Sequence, residues 1–584
     1  MCGIGAIVGP GASDRGIEAL TQHLDHRGPD ARWTWRAPSG EAALGQDRLA
    51  IVDLSPDADR PLVSPTGQRL VFNGEVYNHV ELRRELSGYP FRTRSDTEVL
   101  LAAYETWGDA CFDRILGMFS AMVWNPSDRA LLASRDRFGV KPLYYHHAPD
   151  GTLTLASEIG ALFAAGVGAE ADPAAWSAYL ARGATDQGDR TFWKGIRRLP
   201  PGHLLRWHDG EIRISRWYDL DARVGPAEDQ RPEAIVTEEY RALLEDSVRL
   251  RFRADVPIGI ALSGGLDSAT LLALVDQVGE LPLTTYTFVT GDERYDERPW
   301  VEQMLAGTRH TASWVPLLAE DVPDLAQSVQ STQDEPYGGI PTLAYARLFE
   351  TAREDGTTVL MDGQGLDEQW AGYDYYGPVA KGEAEPAATP LVQGTKGSLT
   401  RVECLLPGFA ALDTSIEEHR SFEDPMRQLQ LRDLQVTKLP RALRYNDRVS
   451  MRASTELREP FLDHRLVELA LRQPSDRKWR AGAGKWLVRS LAATLLPASV
   501  ALAPKRAVQT PQREWLRGAL RPWAEACMED ALDAVGHRWL DPDAVHSAWQ
   551  HFASGHGDNA FFAWQWINLG LAVRQRPDAF TAAP

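Results

Sequence analysis

The chain has 584 residues, too many for one ordinary core, so two domains with substantial interiors are expected. Acidic side chains outnumber basic ones by 81 to 62, giving a formal charge of −19; this argues against a body built to bind nucleic acid. No apolar run is long enough to cross a bilayer, and Cys2, Cys111, Cys404 and Cys527 lack the clustering of a disulfide framework or a zinc centre.

The N-terminal part reads mainly as short strands, at Ile4–Val8, Ala43–Val52, Arg69–Phe72, Ser120–Trp124, Ala130–Arg135 and Leu153–Ala156, punctuated by Gly, Pro, Asp and Asn. The clearest helix among them is Thr97–Trp107. This texture predicts a layered α+β domain over residues 1–217. A stretch rich in Pro, Gly and Asp between Trp217 and Arg231 is the expected linker. From Glu233 onward, helical windows alternate with short buried strands at Val256–Leu262, Thr284–Val289 and Thr357–Met361, which predicts a helix-wrapped parallel sheet in a domain over 232–584. Residues 377–397, rich in Pro, Gly, Ala and Glu, read either as an ordered surface excursion or as a flap. No basic, apolar, small-residue signal pattern opens the chain, and the expected location is cytoplasmic.

Two motifs carry chemistry. Removal of Met1 would place a thiol and an α-amine on one residue, Cys2, and that amine, with a pKa near 7.7–8.0, is a base suited to the thiol. Far downstream, Ser263-Gly264-Gly265-Leu266-Asp267-Ser268 follows an apolar strand and opens a helix, so backbone N–H groups and a positive dipole end face an anion. The loop lacks the Lys of a Walker A motif and the GxGxxG of a dinucleotide site. A second turn, Asp362-Gly363-Gln364-Gly365-Leu366-Asp367-Glu368, follows another buried strand and brings a second hard oxygen ligand for Mg²⁺, Asp367, to join Asp267. Gly484-Lys485-Trp486-Leu487-Val488-Arg489 is expected to set Lys485 and Arg489 on one helical face.

His26-Arg27-Gly28-Pro29-Asp30, Arg48-Leu49-Ala50-Ile51-Val52-Asp53, Asn73-Gly74-Glu75-Val76-Tyr77-Asn78 and Ser95-Asp96-Thr97-Glu98 follow Cys2 in an order that resembles the class II glutamine amidotransferases. The resemblance implies an N-terminal-nucleophile (Ntn) αββα domain that hydrolyses glutamine. It casts Cys2 as nucleophile, Asn73 and Gly74 as the oxyanion hole, Arg48 as partner of the substrate α-carboxylate, and Glu75 and Asp96 beside its α-ammonium. Leu49, Ala50, Ile51 and Val52 complete the implied glutamine site. The second half is similar to the synthetase domain of asparagine synthetases, through the two loops, Arg444–Met451, Glu456–His464 and Lys485. That likeness implies an α/β ATP-pyrophosphatase fold, with ATP as co-substrate and Mg²⁺ as cofactor. It assigns Leu262, Ser263, Gly264, Gly265, Asp267, Ser268, Phe288, Asp362, Gly363 and Lys485 to ATP, and makes Gln364 and Arg448 acceptor-site candidates. Glutamine, ATP and a small carboxylate are the implied partners, with a homodimer as an assembly the family often forms.

One departure bears on the acceptor. The usual Ser-Gly-Glu-Gly-x-Asp-Glu loop has Asp362 and Gln364 here, and a Gln cannot take a proton at neutral pH. The acceptor is therefore either aspartate or another small carboxylate. An intramolecular cyclase would not need the glutaminase set, a non-catalytic sensor would be expected to have lost Cys2, Asp267 or Lys485, and sugar-phosphate or phosphoribosyl partners do not use a Ser-Gly-Gly-Leu-Asp-Ser loop.

Overall fold

The computed structural model describes residues 2–186, 188–279, 281–383, 399–413, 420–504, 510–557 and 559–581. Most of the 377–397 stretch therefore lies outside the described residues; Tyr376–Ala380 within it is a short helix.

The first half stacks two six-stranded antiparallel sheets. One has the order Ile196–Arg198, Tyr144–His147, Leu153–Ala156, Cys2–Val8, Ala42–Arg48, Ala31–Arg36; the other runs Glu211–Arg216, His203–His208, Ala130–Arg135, Gly117–Asn125, Arg69–Val76, Leu62–Val63. Cys2, Ile4, Ala6, Val8, Leu44, Val71, Met122, Trp124 and Leu155 fill the space between them, buried by alternation along each strand. Helices cover the outer faces. Asp14–His23 lies close on the first sheet because Gly5 and Gly45 are register partners there: a Cβ on either would fall 2.1 Å from Leu20 Cδ2 or 2.4 Å from Thr21 Cγ2. Asp96–Trp107 covers the second sheet; its Ser95 cap accepts the Glu98 N–H, an arrangement worth about 1 kcal/mol. This is the expected αββα layering.

The second half is built on a five-stranded sheet, all parallel, in the order Thr311–Pro316, Thr284–Val289, Ile258–Ala261, Val359–Met361, Glu456–Arg458. Strand order reverses between Ile258–Ala261 and Val359–Met361. The loops at their C-terminal ends, 262–268 and 362–367, thus flank a topological switch point, where open α/β sheets bind ligands. The fold is an Ntn αββα domain followed by an α/β ATP-pyrophosphatase-type domain. The expected linker contains a helix, Leu220–Val224, whose Leu220 and Val224 are buried.

Buried polar contacts join the halves. Arg27, fully enclosed, donates to Cys2 O (3.1 Å), Glu158 Oε1 (2.6 Å) and Asp447 Oδ2 (2.9 Å). Replacing one partner of such a set leaves an uncompensated buried charge. Asp334 reaches across to accept the Gly160 N–H at 2.7 Å, and burial pushes its carboxyl up to about 7, against the attraction of Arg448 and Arg576. Native Asp334 therefore keeps its proton to near neutrality, whereas an unfolded Asp loses it near 3.9. Between these values the native chain binds the extra proton, so raising the pH weakens folding by about tenfold in equilibrium constant per pH unit. Asp334→Asn retains the acceptor and removes the ionisation. The thermal unfolding midpoint of the variant, compared with wild type, is expected to rise between pH 5 and pH 8; a constant difference would show that Asp334 is ionised throughout.

Candidate active sites

The strand Cys2–Val8 pairs with Ala42–Arg48 so that Cys2 faces Arg48 across the ladder. The Cys2 nitrogen, which becomes the α-amine once Met1 is removed, donates to Asn73 Oδ1 at 3.0 Å. Gln46 Nε2 lies 3.4 Å from the Cys2 sulfur. Fixing Asn73 through its oxygen turns its amide nitrogen inward, and Nδ2 is buried with no hydrogen-bond partner. A buried donor left open beside a thiol is the electronic requirement of an oxyanion hole. Gly74 next to it has φ +152, and a Cβ would sit 2.0 Å from Met118 O on the paired strand. Gly74→Ala is thus expected to displace the strand and lower glutamate release by about 10²–10³-fold, the scale of losing one oxyanion donor; a steady-state glutaminase assay checks it.

Arg48 is held with its guanidinium on Asp59 and on the carbonyls of Val52 (3.1 Å) and Asp53 (2.6 Å), which curls residues 49–53 around it. Leu49 and Ile51 are buried in the core shared with the second half. Asp96 accepts the Val76 N–H at 2.8 Å, tying the helix start to the Asn73–Val76 strand. Glu75 pairs with Arg458 Nη2 at 3.3 Å across the domain junction. Burial raises its carboxyl well above the usual range, reinforced by repulsion from Glu456 and Asp96.

In the second half the two expected loops touch: Gly363 packs against Asp267 and Ser268. The Ser263–Ser268 turn is closed by Ser268 Oγ, which accepts from Ser263 N (3.2 Å) and donates to Ser263 O (2.8 Å). Gly264 N–H donates to the Glu297 carboxylate at 3.1 Å, so an anion of the protein already occupies one amide of the loop. Lys485 Nζ lies 2.5 and 2.6 Å from the Asp267 oxygens and 2.5 Å from Asp367 Oδ1. Burial works to lower the Lys485 pKa, and the two carboxylates overcome it and hold the ammonium charged. These residues, with Tyr373, Trp479, Trp486 and Arg489, border a cavity of about 830 Å³. Leu262 and Phe288 are buried on the strand ends beside the loop.

Two expectations are corrected. Lys485 is not on a helical face with Arg489: it caps the helix Trp486–Ala492 from a left-handed conformation, φ +58, which swings its ammonium onto Asp267 and Asp367 while Arg489 binds the carbonyls of Ala501 and Ala503. Arg448, expected at the acceptor, is fully buried at the domain junction, donating to Ser157 O at 3.0 Å and pairing with Glu158 at 3.1 Å. Glu297 and the Arg27–Asp447 pair were not singled out by sequence, because a carboxylate on an amide and a contact 420 residues apart leave no local pattern.

Asp267 and Asp367 also fit a divalent cation. They converge on one positive charge beside an anion-binding loop, and Mg²⁺ takes one or two carboxylates with phosphate and water oxygens. No group of three His, Cys, Asp or Glu side chains placed to hold a metal ion occurs among the described residues, so substrate phosphates would supply the remaining ligands.

Residues 1–218 match the family described as glutamine amidotransferase domain, and residues 239–574 match asparagine synthase. A putative glutamine-hydrolysing asparagine synthetase of Mycobacterium tuberculosis is 31% identical, covering 97% of this chain and 95% of its own. Asparagine synthetase (glutamine-hydrolysing) 1 of Bacillus subtilis is 26% identical over 97% and 96%. A Gibberella zeae protein named amidase chry2 is 31% identical over 64% of this chain and 60% of its own. The fold and these matches define a glutamine amidotransferase of class II joined to an ATP-dependent carbon–nitrogen ligase. The chain belongs to the glutamine-hydrolysing asparagine synthetase family.

Proposed function

We propose that this enzyme makes asparagine from aspartate, taking nitrogen from glutamine. Cys2 Sγ attacks the glutamine side-chain amide, with the Cys2 amine taking the thiol proton and passing it to the departing ammonia. Asn73 Nδ2 and the Gly74 N–H stabilise the oxyanion, and Arg48 and Asp96 hold the amino-acid end. In the second half the aspartate β-carboxylate attacks the α-phosphorus of ATP, pyrophosphate leaves, and ammonia displaces AMP from the acyl-adenylate. Lys485 offsets charge on the phosphates, and Asp267 and Asp367 would hold Mg²⁺, which shields the triphosphate. The observation that carries this reading is the pairing of an open Asn73 donor beside Cys2 with the Asp267–Lys485–Asp367 convergence in one chain. The proposed setting is the cytoplasm, where ATP and glutamine are supplied, and the proposed assembly is a homodimer.

A second reading, amidation of a different small carboxylate, is favoured by Gln364 and by the similarity to amidase chry2. Mass spectrometry of Met1-processed protein given glutamine, MgATP and aspartate separates them. Equal amounts of asparagine, AMP and pyrophosphate support aspartate as acceptor; glutamate release without aspartate-dependent AMP rejects it in favour of another carboxylate.

A further inference from the structure

The loop of residues 49–53 wraps the Arg48 guanidinium, and its polar groups divide between the two halves of the chain. Within the glutaminase half, the Ala50 N–H donates to Asp30 Oδ2 at 2.8 Å, and the Asp53 carboxylate accepts the N–H groups of Arg94 (2.7 Å) and Ser55 (3.1 Å). The Ile51 carbonyl and the Asp53 N–H turn instead to one residue of the synthetase half: the Asp255 N–H donates to Ile51 O at 2.8 Å, and Asp255 Oδ2 accepts the Asp53 N–H at 2.8 Å. Asp255 lies in the link 252–257 that joins the helix Glu233–Arg251 to the strand Ile258–Ala261. Ala254 and Val256 of that link pack in one apolar cluster with Leu49, Ile51 and Tyr77, and Arg253 donates to Tyr77 O at 2.6 Å.

One peptide group is therefore held from both ends. The carbonyl of the Val52–Asp53 peptide accepts Arg48 Nη2 at 3.1 Å, and its N–H donates to Asp255. Hydrogen bonds in line through an amide polarise one another, so the bond to Asp255 strengthens the carbonyl's hold on Arg48. Asp53 accepts Arg48 Nη2 with its own carbonyl at 2.6 Å and stands at φ +63, a left-handed conformation that such contacts hold in place. We propose that Asp255 is a positioning residue of the glutamine site: by bracing the 52–53 peptide from the synthetase half, it sets the direction in which Arg48 meets the glutamine α-carboxylate. The proposal rests on the assignment of Arg48 to that carboxylate made above.

The chemistry of the substrate separates this role from catalysis. The α-carboxylate lies at the opposite end of glutamine from the amide that Cys2 attacks and carries the same charge before and during that attack. An interaction with it holds ground state and transition state alike, so weakening it raises KM and leaves kcat in place. The match of a planar guanidinium to a carboxylate depends on orientation, so a tilted Arg48 binds less well without being lost. Asp255 itself is exposed, and shortening it opens no cavity in the core.

Calorimetry of glutamine binding in the Cys2→Ala protein, and glutaminase kinetics with Cys2 intact, test this. Asp255→Ala is expected to raise the glutamine Kd and KM about tenfold, the scale of one hydrogen bond to a charged group, with kcat for glutamate release within twofold of wild type. Asp255→Asn, which keeps an oxygen for the Asp53 N–H, is expected to restore Kd to within threefold. In an Arg48→Lys background Asp255→Ala should add less than twofold, because the residue acts through Arg48. A variant that merely unfolds lowers kcat with the folded fraction and leaves KM unchanged, so the split between them reports the loop. Unchanged Kd and KM in Asp255→Ala, a fall in kcat alone, an Asn variant no better than Ala, or a full tenfold effect on top of Arg48→Lys overturns the proposal. A wild-type protein that binds glutamine without releasing glutamate would reject hydrolysis, and the Kd series would still decide the role of Asp255.

Discussion

Cys2→Ala is expected to lower glutamate release by at least about 10⁴-fold, the scale seen when a nucleophile is removed and only binding and oxyanion stabilisation remain. Amide formation from added ammonium salt should persist in the same protein. The asymmetry follows from the construction of the chain. Cys2 is one strand end of the first domain, held by Asn73, Gln46 and Arg48, while the residues assigned to adenylation sit on loops of a separate parallel sheet. The strand of Cys2 is also a structural element of the sandwich, yet the side chain is small and replacing Sγ by hydrogen leaves the backbone ladder to Arg48 intact. Parallel assays of glutamate and AMP, with glutamine or ammonium chloride as nitrogen source, check the prediction. Loss of both activities in a folded variant would mean that Cys2 contributes to more than hydrolysis.

Lys485→Met gives the opposite pattern. Removing the ammonium leaves Asp267 and Asp367 converging without a cation and takes the positive charge from the proposed triphosphate site. AMP and pyrophosphate formation should fall by about 10²–10³-fold, comparable with deleting one preorganised electrostatic donor. Glutamate release should continue, because no side chain assigned to glutamine touches Lys485. Lys485→Arg is not an expected rescue: a planar fork does not fit a position reached from the left-handed cap and flanked within 2.6 Å by two carboxylates. Pyrophosphate exchange into ATP in the presence of aspartate reads this step alone.

Much of the fold was legible wherever a single chain segment carries its own signal. The strands Ala130–Arg135, Leu153–Ala156 and Thr284–Val289 have the bounds expected from alternation and flanking turns. The helix expected over Thr97–Trp107 starts one residue earlier, at Asp96, with Ser95 as its cap. The strand expected to run through Val52 ends at Arg48, because Arg48 binds the carbonyls of Val52 and Asp53 and Asp53 takes φ +63, a tertiary turn that an apolar run conceals. The expectation for Lys485 fails for a similar reason: spacing reveals i, i+4 neighbours but not that the first of them is the cap.

The site was legible as two loops and a terminal thiol, not as a junction. Arg27, Glu158, Asp447 and Arg448 are four ordinary charged residues in sequence; their enclosure at the interface exists only after both domains fold against each other. Arg448 was drawn to the acceptor by its place in the Arg444–Met451 segment, whereas the helix Leu439–Arg452 turns that side chain toward the glutaminase domain. The same junction encloses Glu459, whose carboxyl burial pushes up to about 8 against the attraction of Lys141 and Arg251.

The central claim is that one chain hydrolyses glutamine and delivers its nitrogen to an adenylated carboxylate. Its most direct test is mass spectrometry of the products formed from amide-¹⁵N glutamine, MgATP and aspartate in the presence of excess unlabelled ammonium. The expected result is AMP and pyrophosphate, with ¹⁵N predominating in the new amide. ADP and phosphate in their place, or an amide nitrogen drawn from the bulk ammonium, would contradict it.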